Sequence, residues 1–129
     1  MARRTGPTPD VVDAVIYRAD FLCEVCGQGL GPARGIDYSL HHRRGRDGKP
    51  DSHQPQNLLL VHGGSNVDAC HGRIHRNLGG ESYRNNWLLP RNAKPTPDPL
   101  LVPVLLFRDR WVHFTASGEY ADSPPMEAA

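Results

Sequence analysis

Apolar residues recur at helical spacing near the start of the chain, at Val11, Val12, Val15, Ile16 and Ala19, directly behind Thr8-Pro9-Asp10. A hydroxyl at the cap, proline at the first helical position and an acidic first turn begin a helix. The pattern therefore predicts a helix over residues 9–20, buried on its valine face. The helical period then stops. Residues 36–41 and 58–61, the latter an unbroken Leu-Leu-Leu-Val, predict two short strands with a polar loop over 43–56 between them. Gly63-Gly64-Ser65-Asn66 marks a turn, and a second helix is predicted over 70–77. Trp87, Leu88 and Leu89 form a further apolar run. Residues 94–99 are proline-rich and predict an extended linker. Strands over 102–107 and 110–115, separated by Arg108-Asp109, predict a hairpin appendage of residues 100–115. Its Trp111 and Phe114 are read as packing residues rather than as platforms for bases. Residues 1–8 are expected to be a disordered arm and 116–129 a disordered tail. The body of the chain is then an α+β domain over residues 9–93.

Composition adds a constraint. Hydrophobic residues are 38% of 129, and glycine and proline together number 25. So loop-rich a single domain has a small core and needs some other brace. Three cysteines are too few for a disulfide framework, and no apolar run follows the basic residues after Met1. Both point to a reducing, cytoplasmic setting. No segment approaches the roughly 18–20 apolar residues of a membrane span. Net charge is only +1, but residues 43–94 carry nine basic side chains against four acidic ones. A local basic surface of that kind suits phosphates.

The brace is suggested by Cys23-x-x-Cys26, the spacing at which two thiolates from one turn reach two corners of a tetrahedral metal site. The thioredoxin-like setting that a redox pair needs is absent. Cys70 supplies a third thiolate. The fourth ligand must be something else, with His62 at the end of the second strand the best placed and His53, His113 or water as alternatives. A zinc ion held by Cys23, Cys26, His62 and Cys70 would be structural and would add folding free energy directly.

A second constellation overlaps the first. His71 and His75 are four residues apart on the second helix, so they share a face and can bind one cation together. His41, at the end of the first strand, offers a third nitrogen. Such a cation polarises a phosphoryl group and stabilises a departing alkoxide. His42 would point to the other face of a regular strand, off the metal and able to act as a general base near neutral pH, provided the strand bends or ends there. Asn57, before the second strand, could bond backbone across the turn and hold the histidine strand in place. Arg43, Arg44, Arg73 and Arg76 flank these histidines, and guanidinium forks match phosphate oxygens.

With these residues in order, the chain resembles the HNH endonuclease family, whose ββα-metal (His-Me finger) fold is two strands and a helix around one divalent cation. The name-giving positions fall at His41-His42, at Asn57 and at the helix from Cys70-His71 to His75. The resemblance covers about residues 14–78. It implies His41 and His71 as ligands of a catalytic cation, His75 as a third, His42 as general base and Asn57 as its orienting residue. The family implies Mg²⁺ or Mn²⁺, while three imidazoles also suit Zn²⁺ or Ni²⁺. Zinc-knuckle members usually carry two CxxC pairs; here His62 and Cys70, with seven residues between them, stand in for the second. More loosely, the motif order looks like small free-standing HNH proteins of tailed phages infecting actinobacteria. That kinship implies DNA as substrate, the packaging terminase as a partner and the host cytoplasm as location.

The expected activity is metal-dependent hydrolysis of DNA phosphodiesters. The main rival is a catalytically inactive, zinc-stabilised DNA-binding module, which needs the clip and a basic surface. It has no need of His42 beside His41, nor of His71 with His75. A zinc deaminase lacks its His-x-Glu signature here.

Overall fold

Thr8 caps the first helix, its Oγ1 accepting from the Val11 amide at 3.4 Å, and Pro9 takes the first helical position. Helix α1 (Pro9–Ala19) buries Val12, Val15, Ile16 and Ala19 and ends where Asp20 turns left-handed. The computed structural model describes residues 6–45 and 48–123. The outer parts of the arm foreseen at 1–8 and of the tail foreseen at 116–129 lie outside the described residues, as do the loop charges Arg46 and Asp47.

Two antiparallel strands, β1 (Tyr38–His42) and β2 (Leu58–His62), pair in the register Tyr38↔His62 through His42↔Leu58. β2 is apolar along its length because both its faces are covered. Leu58 and Leu60 pack with α1, while Leu59 and Val61 belong to a second cluster with Cys23, Val25, Ile74 and Trp87. β1 starts two residues later than its apolar pattern suggests. Ile36 is 75% exposed, because residues 33–37 close a turn in which the Ala33 amide donates to the Asp37 carboxylate at 2.9 Å and the Asp37 amide to the Ala33 carbonyl at 2.7 Å. Helix α2 (Ala69–Arg76) packs Ile74 into the second cluster and ends at the left-handed Asn77. A single turn, α3 (Glu81–Arg84), follows.

The C-terminal third is more tightly joined than its sequence suggests. Strands β3 (Val104–Leu106), β4 (Arg110–Phe114) and β5 (Tyr120–Ala121) form an antiparallel sheet. Val104, Leu106, Val112 and Phe114 are buried in the same cluster as Ile74. The hairpin is therefore part of the core and not an appendage. Residues 94–99 are held to the body, since the Pro97 and Pro99 carbonyls accept from Arg44 and Arg43. The frayed tail expected from residue 116 also gives way to structure: β5 pairs with β4, and the Tyr120 hydroxyl donates to Glu24 at 2.7 Å. Phe114 packs as expected, whereas Trp111 is half exposed. No helix among the described residues is long and apolar enough to cross a membrane.

Glu24 is fully buried and ties four segments together. Its carboxylate takes two hydrogen bonds from Arg18 at 3.0 Å, one from the Leu60 amide at 2.8 Å and the one from Tyr120. Burial and the adjacent Glu24 charge push the Tyr120 hydroxyl's pKa up, so it stays a donor. Removing one partner of a buried pair leaves the other charge uncompensated, which typically costs about 3–5 kcal/mol. Glu24→Ala is expected to lose stability on that scale in urea unfolding; a midpoint equal to that of the wild type would show the network to be inert.

Candidate functional site

Four of the expected metal ligands meet at the end of β2. Cys23, Cys26, His62 and Cys70 bring one ligand atom each within 4.8 Å of the others. The CxxC turn is fixed by backbone bonds from Cys23 to Gln28 and from Gly27 back to Cys23, both 2.8 Å. His62 enters from the end of β2 and Cys70 from the start of α2. Cys26 Sγ lies 3.3 Å from His62 Nδ1, while His62 Nε2 donates to the Gly29 carbonyl at 3.0 Å. That second bond settles the tautomer and leaves Nδ1 as the coordinating atom, the usual arrangement for a ligating imidazole. All three cysteines are free thiols. The Cys23 thiol is drawn down to about 4 by its hydrogen bond with Cys70, whose own thiol is pushed up by the same contact and by burial. A Cys₃His donor set at this spacing fits a structural metal such as zinc.

The second cluster lies on the other side of α2. His41, His71 and His75 also bring their ligand atoms within 4.8 Å of one another. Burial lowers all three imidazoles, His41 to about 3 and His71 to about 4, and those two are further depressed by their histidine neighbours. They are neutral at pH 7 and have their lone pairs available. His41 Nε2 donates to the Trp87 carbonyl at 2.7 Å, which leaves its Nδ1 facing the cluster. Ser39 donates to the Gly63 carbonyl at 2.6 Å and so accepts from His71 Nδ1 at 2.7 Å, leaving His71 Nε2 unprotonated. His71 Nε2 and His75 Nε2 are 3.1 Å apart. At metal–nitrogen bonds of about 2.1 Å that separation subtends roughly 95°, nearer the right angle of an octahedral ion than a tetrahedral angle. The donor set therefore fits one divalent cation.

Ser39 had no part in the sequence reading, although it sits two residues before His41 on the same strand face. Outer partners of ligating histidines typically carry 10–100-fold in metal affinity. Ser39→Ala is expected to weaken divalent-cation binding at the three histidines by roughly that factor in calorimetric titration, and an unchanged affinity would remove it from the site.

His41, His42, Gly45, Asn66, His71 and His75, with Leu40, line one open groove of about 480 Å³. β1 is an edge strand, paired with β2 alone among the strands. That is how His41 and His42, alternate in the pleat, reach the same space. The strand ends at His42, as expected. His42 Nε2 lies 2.9 Å from His53 Nδ1, with the rings edge to face. The sequence reading held His53 only as an alternative zinc ligand, and nothing in its aperiodic loop points to His42. Asn57 is fully buried and bonds backbone on both sides: its Oδ1 accepts from the Arg44 amide at 3.0 Å, and its Nδ2 donates to the Ser52 carbonyl at 2.9 Å. It clamps the two ends of the loop that carries His53.

The four arginines expected to grip phosphate are placed otherwise. Arg43 is fully buried, donating to the carbonyls of Gln56, Asn86, Pro99 and Val102. Arg44 is 3% exposed, paired with Asp51 and bonded to Pro97. Neither presents its fork to solvent. Arg73 and Arg76 are exposed but line the hollow over Cys26, His62 and Cys70, not the histidine groove. Arg73 is bound to Glu81 at 2.8 Å and lies over Trp87. Zinc on three thiolates keeps about one negative charge, which these two cations would offset. No family model, curated protein or solved structure matches this chain.

Proposed function

We propose that the chain is a metal-dependent endonuclease of the HNH type, with a ββα-metal core formed by β1, β2 and α2, hydrolysing DNA phosphodiesters in the histidine groove. The observation that carries this reading is the convergence of a neutral three-imidazole cluster and a fourth, separately held imidazole on one open groove. A structural ion has no use for an accessible fourth histidine beside it.

A divalent cation held by His41, His71 and His75 would polarise the phosphoryl centre and stabilise the leaving alkoxide. His42 takes a proton from the attacking water, its ring orientation held by His53. Asn57 acts one step further out as a positioning residue, fixing the loop from which His53 projects. Three imidazoles with no carboxylate in the cluster favour Ni²⁺ or Zn²⁺, and then Mn²⁺, over Mg²⁺. The Cys23, Cys26, His62, Cys70 cluster holds zinc and takes no part in the reaction.

The test is supercoiled plasmid incubated with zinc-loaded protein and added Mg²⁺, Mn²⁺ or Ni²⁺, wild type against His42→Ala. Cation-dependent nicking that His42→Ala suppresses supports the reading. Undiminished nicking by His42→Ala would remove the assigned base, and no nicking with any cation would leave the DNA-binding module as the better account.

A further inference from the structure

With Arg43 and Arg44 turned inward and Arg73 and Arg76 over the hollow of Cys26, His62 and Cys70, none of the four arginines expected to grip phosphate lines the histidine groove. Two other arginines stand at its ends. Arg34 opens the turn before β1, its backbone bridging to Tyr38. Its side chain lines a hollow of about 180 Å³ together with Ser39, Leu40 and His42. Leu40 and His42 also line the histidine groove, so the two depressions adjoin along β1. Arg91 reaches the opposite end, past the close of β1. A Cβ built on Gly45, a residue lining the groove, would meet Arg91 Cδ and Nη1 at 3.5 Å, so the arginine lies directly over that glycine.

Both side chains are exposed. The ion pairs among the described residues engage Arg18, Arg44 and Arg73, and Arg34 and Arg91 enter none of them. Asp13 shares a neighbouring hollow with Arg34 without pairing to it. Two unpaired guanidinium groups at either end of a groove along an open strand edge match the repeating charge of a nucleic-acid backbone. Strand residues rise about 3.3 Å each, so β1 from Tyr38 to His42 spans roughly 13 Å, long enough for more than one phosphate.

We propose that one DNA strand lies along the edge of β1 with the phosphates flanking the reacting one held by Arg34 and Arg91. This rests on the nuclease reading for the identity of the strand, but its test is made on binding alone. Neither arginine touches the reacting atoms, so both act by holding the substrate.

The test is the affinity of a fluorescent DNA duplex for the zinc-loaded protein, with no other cation added, measured by anisotropy over a range of salt. Each phosphate contact contributes about 0.9 to the slope of log K against log salt. Arg34→Gln and Arg91→Gln are each expected to flatten the slope by about that amount, and the double variant by about twice as much. Arg110→Gln, which removes the same charge from over the Tyr120 ring on β4, is expected to leave it unchanged. A double variant with the slope of the wild type, or an equal loss in Arg110→Gln, overturns the proposal, as does a wild type that binds no duplex at low salt. Plasmid nicking by the same preparations separates the two ideas. Nicking with unaltered slopes removes only the arginine track, and arginine-dependent binding without nicking removes only the nuclease.

Discussion

Cys23→Ser is expected to leave the chain without a cooperative fold at room temperature. Cys23 has no exposed surface and belongs to the main apolar cluster, with Cys26 and Cys70 packed against it. The site it helps form joins residues 23–26 to the end of β2 and the start of α2, segments otherwise linked through Leu59, Val61 and Ile74 and the hydrogen bonds between Glu24 and Leu60. Structural zinc contributes an apparent 10–16 kcal/mol or so in small domains. The whole stability of a domain this size is about 5–15 kcal/mol. Serine is a poor zinc ligand and would bury a hydroxyl where a thiolate sat. The measurements are metal content and thermal melting by circular dichroism: one zinc per chain and a sharp transition for the wild type, less zinc and no sharp transition for the variant. A variant that melts like the wild type without zinc would show the apolar clusters and the Glu24 network to be sufficient.

The next residue after Cys70 is expected to behave oppositely. His71→Ala removes a hydrogen bond to Ser39, worth about 1 kcal/mol, and should keep both fold and zinc. It also removes one of the three imidazoles of the groove cluster, 2.7 Å from Ser39 and 3.1 Å from His75. Losing several kcal/mol of transition-state stabilisation slows a reaction by about 10³-fold or more, so plasmid nicking by His71→Ala should fall at least that far. Cys70→Ser should lose nicking and the fold together. Equal stability losses in the two variants, or nicking retained by His71→Ala, would contradict the division of this helix between two metals.

Features whose cause lies within a few residues were readable in the sequence. Thr8-Pro9 starts α1, the unbroken Leu58 to Val61 run announces a strand covered on both faces, and the i,i+4 pair His71 and His75 comes together on α2. The Cys₃His cluster was also legible, because the chain has only three cysteines and, of its seven histidines, His62 at the end of the second strand was the best placed to complete a tetrahedral set. What failed depends on distant partners. Arg43 reads as a surface charge until the carbonyls of Gln56, Asn86, Pro99 and Val102 close around it from three separate loops. The Pro97 and Pro99 carbonyls, bonded to Arg44 and Arg43, likewise make an ordered strap of residues 94–99, which composition alone presents as a linker. The contacts of His53 and Trp87 were missed for a similar reason: one meets His42 through a ring nitrogen brought in by an aperiodic loop, the other accepts from His41 through its backbone oxygen.

Adjacent residues serving different metals is the claim on which the account turns. Ni²⁺ titration of the one-zinc protein by calorimetry, with zinc content measured before and after, tests it most directly in wild type and His71→Ala. The expected result is one Ni²⁺ bound per wild-type chain with zinc retained, and no comparable binding to the variant, which still holds its zinc. Ni²⁺ binding that survives His71→Ala, or that proceeds only as zinc is lost, would contradict two separate sites.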